Sequence, residues 1–105
     1  MMNTCEIPTV QMLPNPVFLK IDDPQIDFEK AKTIAKSKAQ TYHEDTMLLS
    51  WFDKEKESYS PFSVECCSDG KPSWVSYALS RGGELSIDIN DGKYVFIFSG
   101  DLKLT

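Results

Sequence analysis

The fifteen residues Glu84 to Phe98, ELSIDINDGKYVFIF, leave this chain less freedom than any other stretch of it. Asp-Gly is a two-residue hairpin corner, because both of its positions tolerate the positive φ that such a turn requires. With Asp91-Gly92 as the corner, Ile89 faces Tyr94, Ile87 faces Phe96 and Leu85 faces Phe98. All six apolar side chains then share one face. A slip of one residue would turn them to the other side, so the pattern and the turn specify the same register.

The same stretch contains Asp88-Ile89-Asn90-Asp91-Gly92, which invites comparison with a calcium loop. That loop needs glycine at its sixth position and a bidentate acid at its twelfth, between two helices. Counted from Asp88, glycine comes fifth and Ser99 twelfth, so the segment is read as a hairpin.

Upstream, Asp22-Asp23-Pro24 carries a helix-start signal, with Asp23 as N-cap and Pro24 in the first helical position. Phe28, Ala31, Ile34, Ala35, Ala39 and Tyr42 then recur at steps of three and four, which predicts one amphipathic helix. Lys30, Lys32, Lys36 and Lys38 lie mostly off that stripe, acids precede lysines as the helix dipole favours, and His43-Glu44-Asp45 marks the exit. Val17 to Ile21 reads as a short strand before the helix.

After Thr46 the period shortens to two, and strands are predicted at Met47–Phe52, at Phe62, Val64 and Cys66, and at Trp74–Ser80. Asp53 to Ser58 is a charged connector, and Gly82-Gly83 is read as a second hairpin corner. The expected fold is α+β: one amphipathic helix on an antiparallel meander sheet of about five or six strands. Residues 1–15, with Pro8 and Pro14, form an extended segment, and residues 16–105 a single domain.

Composition narrows function mainly by exclusion. A net charge of −5 opposes binding to a phosphate backbone, so no nucleic-acid partner is expected. The apolar runs are far shorter than the ~20 residues of a membrane span. The three cysteines are odd in number, with Cys66 and Cys67 adjacent, which fits a reducing, cytoplasmic setting better than a disulfide framework.

No motif assigns a catalytic residue, a cofactor or a metal ligand. His43 is the only histidine and sits where it can satisfy helix-end carbonyls. Neighbouring strand positions point apart, so Cys66 reads as a core residue and Cys67 as an exposed, reactive thiol. The reverse face of the sheet, with Val75, Tyr77 and Leu79, then Ser86 and Asp88, then Val95 and Ile97, is too apolar for solvent. It calls for cover by the N-terminal segment, a second subunit or a ligand. Tyr77, Asp88, Trp51 and Trp74 are the candidate ligand or contact residues.

The order strand, long helix, antiparallel strands over residues 17–98 resembles the plan of cystatin-type folds. The Q-x-V-x-G motif of inhibitory cystatins is absent, so protease inhibition does not carry over. Residues 46–98 are also similar to small uncharacterised prokaryotic domains of unknown function. The expected role is a non-catalytic binding or assembly module that self-associates through its sheet face or edge. The alternative is a small ligand-binding protein or enzyme with a pocket between helix and sheet.

Overall fold

The computed structural model describes residues 13–60 and 73–100 of the chain. At its centre lie β4 (Gly83–Ile89) and β5 (Tyr94–Ser99), antiparallel, with Leu85 opposite Phe98, Ile87 opposite Phe96 and Ile89 opposite Tyr94. This is the register that the sequence pattern requires. Asp91 and Gly92 have φ of 55° and 85°, and the Lys93 N–H donates to the Asn90 carbonyl at 3.2 Å, which closes a type I′ corner. The supposed calcium-loop acid braces that corner: Asp88 Oδ1 accepts from the Gly92 N–H at 2.6 Å.

β1 (Pro16–Leu19) lies beside β4 and runs parallel to it, with Val17 opposite Ile87 and Leu19 opposite Ile89. A parallel neighbour needs a crossover, and α1 (Phe28–Gln40) supplies its helix. Asn90 prolongs this pairing with its side chain. The Ile21 N–H donates to its Oδ1 at 2.7 Å, and its Nδ2 donates to the Ile21 carbonyl at 3.2 Å. The helix begins later than Asp23-Pro24 suggests. Asp23 and Pro24 make a turn instead, in which the Gln25 N–H donates to Asp23 Oδ1 and the Ile26 N–H to the Asp23 carbonyl. Asp27 is the N-cap and accepts from the Lys30 N–H at 2.9 Å.

α1 packs its apolar stripe on β4 and β5. Ala31, Ala35 and Ala39 are fully buried against Leu85, Ile87, Ile89, Tyr94, Phe96 and Phe98, with Phe28 and Ile34 packed at the sides. Having only a methyl group at those three positions lets the helix backbone come close to a sheet face made of large side chains. Tyr42, the last residue of the predicted stripe, is exposed beyond the helix end.

β2 (Leu48–Asp53) pairs antiparallel with β5 and β3 (Ser58–Ser60) with β2, so the sheet order is β1-β4-β5-β2-β3. The charged connector is the turn between β2 and β3. An irregularity between Leu48 and Ser50 turns Leu49 toward the face opposite α1. The strand predicted at Phe62, Val64 and Cys66 lies outside the described residues, as do residues 1–12 of the N-terminal segment.

The largest departure from the sequence reading is α2 (Ser73–Ser80), a helix where a strand was expected. Trp74, Val75 and Ala78, at steps of one and three, are fully buried, whereas Leu79 is exposed. That is a helical face rather than an alternating one. Valine, tyrosine and tryptophan favour strands locally, but here tertiary packing overrides propensity. α2 covers the second face of the sheet, formed by Phe52, Tyr59, Val95 and Ile97, and Leu13 packs into the same cluster.

Gly82-Gly83 is accordingly not a hairpin corner. Gly82, at φ 85°, ends α2 in the left-handed conformation typical of helix C-termini. Gly83 starts β4 so close to α2 that an added Cβ would lie 2.8 Å from the Ala78 carbonyl oxygen. The architecture is α+β with two helices and a mixed, mostly antiparallel five-stranded sheet, rather than one helix on a meander. It departs from the cystatin-type plan in the parallel β1 and in the second helical layer.

Candidate functional site

The two helical layers separate the residues singled out in the sequence. Trp74 is 0% exposed and stacks on Phe52, with centroids 5.5 Å apart and planes 7° apart. It fills the core beneath α2. Tyr77, on the same helix, is half-buried, and the Arg81 guanidinium lies 4.1 Å from its ring centroid. Asp88 also belongs to the α2 side of the sheet. It is 6% exposed, and burial pushes its carboxyl group above the usual range, aided by Asp91 and opposed by the Gly92 N–H bond. Its placement makes it a brace for the hairpin. Trp51 stands opposite Phe96 on the α1 face, so it is not gathered with the other three. Cys66 and Cys67 lie outside the described residues.

Trp51 leads to a different site. α1 lies over β4 and β5, and on that side β2 presents Leu48, Trp51 and Asp53 along the helix flank. Two recesses follow. The first, of about 280 Å³, is lined by Asp27, Phe28, Glu29, Trp51, Asp53 and Lys56, with Ser58 at its edge. Phe28 and Trp51 pack with their ring centroids 4.6 Å apart and form its apolar wall. Asp53 is 2% exposed and accepts from the Lys56 N–H at 3.2 Å. Below the wall, burial pushes the Tyr94 phenol above its ordinary range, and the carboxylates of Glu55, Asp53 and Asp27 push the same way. Among the described residues no three His, Cys, Asp or Glu side chains stand close enough to hold a metal ion. The recess offers hydrogen-bond acceptors beside aromatic surface, a combination suited to holding a polar organic molecule.

The second recess, of about 170 Å³, lies further along the same flank and is lined by Lys32, Lys36, Thr46, Met47, Leu48 and Phe98. Glu29, Lys32 and Lys36 follow one another at steps of three and four, which puts them on one side of α1. That spacing was visible in the sequence. What was missing was the knowledge that this side of the helix overlooks half-buried strand residues rather than open solvent.

A covered sheet, a helix laid off-centre and an apolar-walled polar flank define a small α+β domain. The chain belongs to the DUF5619 family, a domain of unknown function whose family model matches residues 14–98. An uncharacterised protein of Archaeoglobus fulgidus is 36% identical over 72 residues, covering 69% of this chain and 75% of the relative. The crystal structure of an Archaeoglobus fulgidus protein, described as a novel non-family-model protein, superposes with a TM-score of 0.71 at 27% identity. It covers 88% of this chain and 100% of its own. The likeness to small uncharacterised prokaryotic domains, noted over residues 46–98, thus extends across most of the chain. Among the described residues no helix is long and apolar enough to cross a membrane.

Proposed function

We propose that this domain is a non-catalytic binding module that holds a small organic molecule along the β2 flank of α1. The observation that carries this reading is the offset of α1. By covering β4 and β5, it leaves Trp51 and Leu48 half-buried at the foot of two recesses walled by charged residues. The opposite face of the sheet is closed by α2, so a ligand or a second subunit is not needed to cover it.

A thermal-shift screen of polar metabolites, followed by Trp51 emission, tests the reading. A ligand at ~100 times its Kd adds about 2.7 kcal/mol to a fold that it binds only when native. For a domain of this size that corresponds to a rise of roughly 10–20 °C in Tm. Trp51→Ala is expected to remove the shift of a ligand held in the first recess while leaving the domain folded. A screen with no shift in any compound would refute the binding reading.

A second reading, self-association through the edge of the sheet, rests on β1. It is the outermost described strand on its side, and Phe18 projects from it 57% exposed. Edge strands that carry exposed apolar residues invite pairing. A monomer mass by light scattering at micromolar concentration, unchanged on Phe18→Lys, would remove it. A cytoplasmic setting suits either reading, given three cysteines of which two are adjacent.

A further inference from the structure

The recess at Lys32 and Lys36 has a more definite chemistry than its neighbour. We infer that it takes the carboxylate of a small acid with a ring-sized apolar body; this rests on the flank of α1 being the binding site. Three observations carry the inference. Lys32 and Lys36 stand one turn apart, and among the described residues neither has an ion-pair partner, whereas Lys30 pairs with Asp23 and Lys93 with Glu55. Like charges at this spacing repel each other mildly and disfavour the helix. An anion placed between them relieves that repulsion.

The recess beneath the two lysines is mainly apolar. Leu48 and Phe98 form its floor and Met47, 53% exposed, stands at its mouth, where a flexible thioether adapts to different shapes. The Thr46 hydroxyl is already engaged, donating to the Ser99 carbonyl at 2.7 Å. Polar recognition therefore falls to the two ammonium groups.

Size sets the remaining limit. A dry cavity of about 150 Å³ holds one benzene molecule, and this recess measures about 170 Å³. A single ring or a branched chain of five or six carbons fits it, and a nucleotide or a long acyl chain does not. The chain's net charge of −5 repels anions at long range, so the lysine pair acts as a local trap for a monoanion rather than as part of a broad basic surface.

The test uses benzoate as the probe, with benzamide as its neutral counterpart and benzylamine as its cationic one, titrated into the full chain and followed by amide NMR shifts. Benzoate is expected to move the resonances of Lys32, Lys36, Met47 and Leu48 and to saturate. Benzamide is expected to bind at least tenfold more weakly. Lys32→Gln with Lys36→Gln should weaken benzoate at least tenfold and leave benzamide unchanged, with an unaltered Tm showing that the fold is intact. Equal affinity for benzoate and benzamide, full benzoate affinity in the double variant, or shifts elsewhere would overturn the inference. Benzylamine binding beside Trp51 with no benzoate binding refutes the carboxylate site and leaves the flank a binding site. Silence from all three probes, together with a flat metabolite screen, refutes both.

Discussion

Trp74→Ala tests whether α2 really closes the second face of the sheet. The indole is fully buried and stacked on Phe52. A side chain of this kind buries roughly 150–250 Å², and at about 25 cal/mol per Å² its transfer from water contributes up to ~4–6 kcal/mol. The extended-chain reference makes that an upper bound, and alanine is the better helix former by up to ~0.7 kcal/mol. Buried Trp→Ala changes cost about 3–5 kcal/mol, the cavity included. We therefore expect a loss of about 3–4 kcal/mol, a large part of the ~5–15 kcal/mol available to a small domain.

The assay is urea unfolding followed by far-ultraviolet circular dichroism. At ~1–3 kcal/mol per molar urea, the midpoint should fall by more than about 1 M. A double-mutant cycle with Phe52→Leu should give a coupling of about 0.5–1.5 kcal/mol from the stacked pair. Had this segment been an exposed-face strand or a subunit contact, the loss would depend on protein concentration or stay near zero. A loss below about 1 kcal/mol, or no coupling to Phe52, would refute the packing described here.

Four further substitutions probe the local arguments. Asp88→Asn keeps an acceptor for the Gly92 N–H and removes a buried carboxylate whose pKa is raised. A raised carboxyl favours the folded state below the unfolded value of about 4 and loses that advantage as pH rises through the folded value. The variant should therefore gain stability relative to the parent between acid and neutral pH, and an equal difference at pH 3 and pH 7 would contradict this. Gly83→Ala places its Cβ against the Ala78 backbone and should cost about 1–3 kcal/mol. Gly82→Ala meets no atom but strains a left-handed residue, for about 1–2 kcal/mol; both are read from thermal melts. Ser86→Ala removes a buried hydroxyl that has no hydrogen-bond partner among the described residues, so a neutral or stabilising effect is expected in denaturant titration. A loss above 1 kcal/mol would show that the hydroxyl is bonded after all.

The sequence by itself determined whatever depends on neighbours along the chain. The β4–β5 register followed from Asp91-Gly92 and the alternation before it, because a tight corner leaves only one pairing that keeps Leu85, Ile87 and Ile89 on a single face. The stripe of α1 was legible for the same reason, although its N-cap moved from Asp23 to Asp27 because the earlier aspartate is used up in a turn of its own.

Tertiary structure decided what depends on partners distant in sequence. Trp74 to Ser80 contains too few residues for its period to separate helix from strand, and the choice fell to an apolar sheet face that needed cover. The parallel sense of β1 follows from the crossover through α1, which no local pattern encodes. The same holds for the site. In the sequence Lys32 and Lys36 are ordinary surface residues, and Trp51, although a candidate contact residue, has no visible relation to them. They line two recesses of one flank only because α1 settles over β4 and β5 and leaves β2 uncovered beside it.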